Sequence, residues 1–518
     1  MQRIFLLLIG LLFSLLLRAQ LTDNNGEWVI KDSSSVQIAD LPWTQSQIKN
    51  VLKDSSYTHF MKSLTEDVLF EMVKGKSFLS VSPEILLNGS YEPELGENFF
   101  AYGGGGRLQY LLNDKFSLKT RIYGFQQDAL AGDSIRGVNN LMPGAYKSNY
   151  VSGIMSYFDF RMRMAYEPSK YFHFEAGIDN HFVGDGYHSI LMGNNVSPYP
   201  FAMISTSFWK IDYNVQYHFL KDVAYPDLSK VYNKYMTTHQ LNFRATPKLH
   251  FYILEAVVWK QEDSVVNRGY DMSYLNPIIF FRPVEFQLGN PSPDNVLIGF
   301  GFRYQPLNWF RFYGQGLLDE FYLKEIQAQN GWWANKFAFQ IGFESKFSVS
   351  DHFFKLQAEY NMARPYTYSH IGSMQNYGHR LYSLAHPLGA NFGEALFCAG
   401  WNYKNISLDA KIAAIMVGTD ESDINYGQNI YRSYIDRESE YGHSWLQGNL
   451  QKDISADIRA GYVINKALDL NLSVGLRSYP SYSSSAIDAQ RFNEFYLRIS
   501  TFTAPRMKDL YRTTGLYE

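Results

Sequence analysis

Residues 158–166 read FDFRMRMAY, in which Phe158, Phe160, Met162, Met164 and Tyr166 alternate with Asp159, Arg161, Arg163 and Ala165. Successive side chains of a β-strand point to opposite faces, so one face of this segment meets an apolar medium and the other meets water. The same alternation returns in 172–176 (FHFEA), 310–313 (FRFY), 337–344 (FAFQIGFE), 406–412 (ISLDAKI), 454–460 (ISADIRA) and 470–476 (LNLSVGL). A soluble sandwich also alternates. Many long strands with Arg, Lys, Asp and Glu gathered on one face instead indicate a transmembrane barrel with a polar lumen.

Composition agrees. Of 518 residues, 17% are aromatic, with 39 Tyr and 38 Phe, while 19% are charged and the net charge is −3. A nucleic-acid binder would carry a basic excess, which is absent here. The single cysteine, Cys398, excludes an internal disulfide framework. The opening residues MQRIFLLLIGLLFSLLLRAQ place Arg3 before an apolar run and end in Ala19-Gln20, so 1–20 reads as a signal peptide. No later apolar run approaches the roughly 20 residues of a membrane helix.

Turn lengths give a second argument, because outer-membrane barrels alternate short periplasmic turns with long extracellular loops. Short turns fall at 113–115, 167–170, 209–211, 247–248, 305–307, 348–351, 404–405 and 465–468. Long connections fall between them, at 127–150, 179–198, 221–235, 319–333, 364–388, 418–448 and 480–491. Residues 261–295, with Pro277, Pro283, Pro291 and Pro293, suit a spanning strand poorly, and counting them as one would invert the parity. They are expected to form a long extracellular loop or an inward-folded plug.

The expected fold is all-β, a transmembrane antiparallel β-barrel of about 18 strands over residues 77–502. Below it, 21–76 reads as a small helical periplasmic segment. Asp40-Leu41-Pro42-Trp43 looks like a helix start, and Phe60, Met61, Leu64, Val68, Leu69 and Met72 fall at helical spacing. Residues 503–518 form a periplasmic tail.

The in-facing positions of these strands carry Asp159, Arg161, Arg163, His173, Glu175, Arg311, Lys355, Glu359, Asp409, Lys411, Asp457, Arg459, Arg477 and Arg498. Their signs are mixed, which predicts paired charges that pin register and hold an inward loop. A selective pore would show one sign at a constriction. No Gly-x-Ser-x-Gly nucleophile elbow occurs, and no spacing around His181, Asp185 and His188 completes a ligand set. No enzyme chemistry, cofactor or metal is expected.

The long loops are rich in rings and amides, as in 361–382 (NMARPYTYSHIGSMQNYGHRLY), Trp332-Trp333 and the group Tyr426, Tyr431, Tyr434, Tyr441 and Trp445. Sugars stack their CH faces on aromatic rings while amides and charged groups take the hydroxyls. Asp185, His188, Trp332, Trp333, Tyr377 and Arg380 are therefore the candidate glycan contacts, although many rings equally suit an interfacial belt. The loop that holds two of them, 184–201 (GDGYHSILMGNNVSPYPF), falls on the extracellular side. Its glycines permit a tight inward fold, and Ser197-Pro198 starts the return strand.

That stretch resembles the glycine-rich, Ser/Leu, Asn, Pro-x-Pro block of Wzi-like capsule-assembly outer-membrane proteins, with Tyr187 and His188 where a Gly/Ser stretch is common. Residues 382–392 (YSLAHPLGANF) resemble a segment of the related RemB-type proteins of gliding motility. The resemblance implies an eighteen-stranded barrel, a helical element beneath it and a lumen blocked by inward segments. It further implies a non-enzymatic protein of the bacterial outer membrane that binds or organises extracellular polysaccharide. Its partners would be that polysaccharide, outer-membrane lipid and motility or envelope proteins, with no nucleic acid. The girth of such a barrel keeps a channel or transporter for small solutes or oligosaccharides as the alternative.

Overall fold

The computed structural model describes residues 58–60, 70–94, 96–128, 146–224, 227–262, 269–277, 294–421, 424–481 and 490–501. Its centre is a closed antiparallel barrel of eighteen strands. The first nine are β1 (Ser77–Glu92), β2 (Glu97–Leu112), β3 (Phe116–Asp128), β4 (Ile154–Ser169), β5 (Phe172–Asp179), β6 (Tyr199–Phe208), β7 (Ile211–Ala224), β8 (Asp227–Thr246) and β9 (Leu249–Lys260). The second nine are β10 (Asn295–Leu307), β11 (Phe310–Glu320), β12 (Lys336–Val349), β13 (His352–Ala363), β14 (Phe392–Tyr403), β15 (Ile406–Thr419), β16 (Asn449–Asn465), β17 (Leu470–Ser481) and β18 (Gln490–Ser500). Each pairs with its neighbour in sequence, and β18 closes on β1 from Phe495↔Tyr91 to Ser500↔Leu86.

Alternation decides which face goes where. In β4, Asp159, Arg163 and Ala165 are buried toward the lumen while Phe158, Met164 and Tyr166 are exposed on the outer wall. The same rule leaves Leu87, Phe100, Ile122, Phe300, Ile341, Phe397, Ile454 and Phe495 outward and exposed. An apolar outer wall around a polar interior belongs in the outer membrane, where a closed barrel satisfies every backbone group without water. Short turns reverse the chain through left-handed residues such as Asn113 (φ 51°) and Asp114 (φ 57°), types that tolerate that conformation.

Three expectations are corrected. Within 21–76, Thr58–Phe60 and Phe70–Lys74 are strands where helical spacing had been read, and the rest of that segment lies outside the described residues. The cause is the stagger at the seam. Residues Ser77–Val81 of β1 extend past the end of β18, and Phe70–Lys74 pairs with this otherwise open edge. An uncovered edge invites unwanted pairing, so the seam recruits its own cover.

Second, the connection expected at 221–235 is mostly a tall hairpin, with β7 and β8 paired continuously up to Val223↔Val231. Val223, Val231, Tyr232 and Tyr235 are β-favouring residues, and they carry the ladder on. A further short strand, Lys147–Val151, pairs with the top of β4.

Third, the described part of the 261–295 insertion is not a plug. Residues 269–277 lie against the outer wall of β7–β10. Tyr217 donates to the Leu275 carbonyl (2.9 Å), Thr237 Oγ1 meets the Tyr270 hydroxyl (2.7 Å), and Trp259 Nε1 donates to the Gly269 carbonyl (3.3 Å). Tyr274 is fully buried against Trp259, with ring centroids 4.8 Å apart. The outward positions here carry Tyr217, Thr237, His239 and Glu255, whose polar atoms hydrocarbon could not satisfy, and the strap covers them.

Candidate functional site

The lumen is filled from its long-loop end. Residues 180–198, between β5 and β6, fold inward and are buried except at Gly186, Tyr187, Asn194 and Asn195. Ser189 organises the turn: its hydroxyl donates to the Val183 carbonyl (2.6 Å) and accepts from the Leu191 and Met192 amides (both 3.1 Å). The barrel wall then holds the loop backbone. Gln315 of β11 donates to the Val183 carbonyl (2.7 Å) and accepts from the Ile190 amide (3.0 Å). Gln340 of β12 donates to the His188 carbonyl (2.8 Å). Glu359 of β13 accepts from the Tyr187 amide (2.7 Å), the His188 amide (3.0 Å) and the Tyr313 hydroxyl (3.0 Å).

Glycine is required where this contact is tightest. Gly184 has φ +127°, and a Cβ there would lie 2.0 Å from Gln315 Nε2. A left-handed backbone beside a wall side chain admits no other residue without strain.

A second inward segment, 364–391, packs on the first. Gly193 donates to the Leu384 carbonyl (2.7 Å) and Tyr368 donates to the Ile190 carbonyl (2.7 Å). Ile190, Leu191 and Met192 share one apolar cluster with Leu384, Ala385 and Leu388. The two stretches that carried the sequence resemblance, 184–201 and 382–392, are thus in direct contact. Buried ammonium groups fix the second segment to the wall. Lys234 bonds Asn376 Oδ1 (2.8 Å) and Asp222 (3.4 Å), and Lys336 bonds the Ser369 carbonyl (3.1 Å) and Asp319 (3.2 Å).

Where the segments meet, His188, His386 and Glu394 lie with their ligand atoms within 4.8 Å of one another. Two histidines and a carboxylate are a zinc-like donor set. Their hydrogen bonds argue for another role. His386 Nδ1 accepts the Leu388 amide (3.2 Å), which leaves the ring proton on Nε2, and Nε2 faces Glu394 Oε2 at 2.8 Å. A metal-bound histidine uses one nitrogen for the ion and donates from the other. With His188 Nδ1 at 3.1 Å from the same oxygen, Glu394 ties the two loops to β14.

An eighteen-strand barrel whose long loops fold back into its own lumen is a distinctive arrangement. In fold, the chain resembles Wzi. That Escherichia coli outer-membrane protein is involved in group 1 capsule assembly and is described as a carbohydrate-binding β-barrel. The two share 11% identity over 80% of this chain and 84% of Wzi, with a TM-score of 0.50. OccK8 (OprE) of Pseudomonas aeruginosa matches at 10% identity, covering 82% of this chain and 97% of its own, with a TM-score of 0.43. OccAB2 of Acinetobacter baumannii matches at 11% identity, covering 82% and 97%, with a TM-score of 0.42. No family model matches the sequence, and no curated protein does.

The six candidate glycan contacts separate into three settings. Asp185, His188 and Tyr377 are buried and committed to the plug, which corrects the ligand role expected for them. Asp185 sits between Arg303 (3.5 Å) and Arg311 (3.2 Å). Tyr377 is sealed in the apolar cluster, and burial pushes its phenol well up. Arg380 is half-buried and donates to the Tyr146 carbonyl (2.9 Å). The remaining two lie on the long-loop face. Trp333 is largely covered: its Nε1 donates to Glu440 (2.8 Å) and the Arg437 guanidinium lies 4.0 Å from its ring centroid. Trp332 is half-exposed beside exposed Tyr322, with centroids 6.0 Å apart.

The lumen charges are paired. Arg161 contacts Asp159 (2.8 Å) and Asp179 (3.0 Å), and Arg163 contacts Glu175 (2.8 Å) and Asp179 (2.6 Å). Arg311 reaches Glu344 (2.9 Å), Arg477 reaches Asp457 (2.9 Å) and Arg459 reaches Asp409 (2.7 Å). Alternation placed Glu359 in the lumen but not on the plug. Gln315, Gln340 and Glu394 were missed because a neutral amide, or a lone carboxylate at a strand end, carries no signature in sequence.

Proposed function

We propose that this outer-membrane barrel binds or organises extracellular polysaccharide at its long-loop face, without enzymatic activity, in capsule attachment or surface gliding. The observation that supports this reading is the aromatic shelf of Tyr322 and Trp332. Tyr322 is exposed and Trp332 half-exposed on the loop between β11 and β12, with Asn330 accepting the Trp332 amide and Arg437 and Glu440 against the neighbouring Trp333. A rigid, partly exposed ring bordered by an amide and charged groups suits the CH faces and hydroxyls of a sugar. Wzi's description as a carbohydrate-binding barrel points the same way.

The test is binding of detergent-solubilised protein to an array of the host's surface glycans. Binding that Trp332→Ala weakens by about 1–2 kcal/mol, within the range for loss of an aromatic contact, supports the reading. Absence of binding to every glycan on the array would overturn it.

A further inference from the structure

Three imidazoles meet where the inward segments touch the wall at β6 and β7, and they differ from the other histidines of the lumen. His173 faces Glu167 and Glu175, and His188 and His386 face Glu394. His181 of the first inward loop, His218 of β7 and His379 of the second inward segment have no carboxylate partner among the described residues, and they are 0%, 0% and 2% exposed. Tyr199 of β6 stands between them. Its ring centroid lies 6.1 Å from that of His181, 5.5 Å from His218 and 5.4 Å from His379, and His181 and His218 are 5.5 Å apart.

The surroundings suit neutral rings and oppose charged ones. Neither nitrogen of His181 has a hydrogen-bond partner among the described residues. His218 uses Nε2 on Thr238 Oγ1 (3.2 Å) and leaves Nδ1 unpartnered, while His379 Nδ1 accepts the Lys221 amide (3.1 Å) and leaves Nε2 unpartnered. The acids nearby are already committed to bases: Glu175 and Asp179 to Arg163 of β4, and Asp222 of β7 to Lys234 of β8. Arg163 also lies over the Phe201 ring, which packs on His181 with centroids 4.3 Å apart. Burial, with Arg163 and His218 beside it, holds His181 well below the ordinary imidazole range, and burial with Arg380, Lys234 and Lys221 nearby does the same for His379. An imidazolium here would be buried without an acceptor and beside cations. Two of the three rings ride on the plug and the third on the wall, so the cluster is a joint between plug and wall.

We propose that this barrel is an acid-opened pore, in which protons taken up by His181, His218 and His379 drive the inward segments off the wall at β6 and β7 and open the lumen to small ions. This activity is independent of the polysaccharide reading. The closed state holds all three rings neutral, and once released each takes up a proton below about pH 6.5. The closed state is therefore fully stable above that pH and loses ground as pH falls. For each imidazole the open-to-closed ratio approaches a rise of about tenfold per pH unit, which for three approaches about a thousandfold.

The experiment is single-channel recording of the full-length protein in planar bilayers from about pH 7.5 to about pH 5, the window in which histidine titrates. The parent should be silent at the upper end and open reversibly on acidification, with a ratio that climbs more than about tenfold per pH unit, a slope that one titrating group cannot give. The His181→Gln/His379→Gln variant keeps polar side chains but takes up no proton, and its slope should fall to about tenfold or less. His218→Gln is the second variant, because glutamine already occupies the neighbouring in-facing positions 216 and 240, and its slope should lie between the two. Both variants should keep the parent's thermal midpoint at the upper end of the pH range. The proposal is overturned if the parent stays closed throughout, if it conducts already at about pH 7.5, if its slope is about tenfold or less, or if both variants open with the parent's slope.

Discussion

Glu359 holds the backbone of His188, which lies 171 residues earlier in the chain, by accepting its amide at 3.0 Å, and takes the neighbouring Tyr187 amide at 2.7 Å. The carboxylate is buried, so its charge is spent on the plug loop and not on a ligand. Charge-assisted bonds of this kind contribute about 1.5–3 kcal/mol each, and buried donors left without an acceptor cost a comparable amount. Glu359→Ala should therefore lower the thermal midpoint of the detergent-folded barrel and open 180–198 to proteolysis. Glu359→Gln keeps an acceptor and should cost less. An alanine variant with the parent's midpoint and cleavage pattern would show that the plug is held elsewhere.

Gly186 tests the same contact from the loop side. A Cβ there would stand 2.5 Å from the His188 carbonyl oxygen, 2.7 Å from Glu359 Oε2 and 2.8 Å from Gln340 Nε2. Two of these are wall side chains, so Gly186→Ala pushes the loop away from β12 and β13 together. The parent should be silent in planar bilayers and the variant should show conductance steps. Steady ohmic conductance from the parent itself would mean that the lumen passes ions around the plug.

Strand positions were legible because alternation and turn parity are local. FDFRMRMAY assigns its own two faces, and the short turns fix the direction of every strand. What filled the lumen was legible only in part. The glycines of 184–201 signalled an inward fold, but its clamps, Gln315, Gln340 and Glu359, come from three strands distant in sequence. The strap was misread for a related reason. Tyr217, Thr237 and His239 at outward positions look like errors in a lipid-facing pattern until the 269–277 segment supplies their cover. The seam strand Phe70–Lys74 was read as helix because its apolar spacing is ambiguous over so few residues. The free edge of β1 that decides the matter exists only after the barrel closes.

Acid should loosen the long-loop face through His370. This imidazole is buried beside Tyr434, and burial, with the ammoniums of Lys336, Lys260 and Lys234 adding to it, lowers its pKa from 6.5 to about 3. A histidine held neutral in the folded state contributes its stability in full above about pH 6.5. That stability is lost as pH falls from there toward about 3, since the unfolded chain takes up the proton first. Tryptophan emission from Trp333, whose ring centroid is 4.6 Å from that of Tyr434, should change across this window. The change should shrink in His370→Phe. An identical acid transition in that variant would remove His370 as its source.

The outer strap should behave as a separable unit hung on Tyr274. Its ring is fully buried against Trp259, and its hydroxyl donates to Asp294 at 2.7 Å. Truncating a buried aromatic to alanine costs about 3–5 kcal/mol where the structure cannot collapse into the gap. The strap's other wall bonds come from single side chains, Tyr217, Thr237 and Trp259, whereas the β9 strand beneath it is paired on both sides by β8 and β10. The loss should therefore appear as local release. Tyr274→Ala should accelerate amide exchange across 269–277 while the β9 amides stay protected, and Tyr274→Phe, which keeps the packing, should do so far less. Equal acceleration in the strap and in β9 would mean that the strap is an integral part of the wall, and unchanged exchange would mean that Tyr274 does not anchor it.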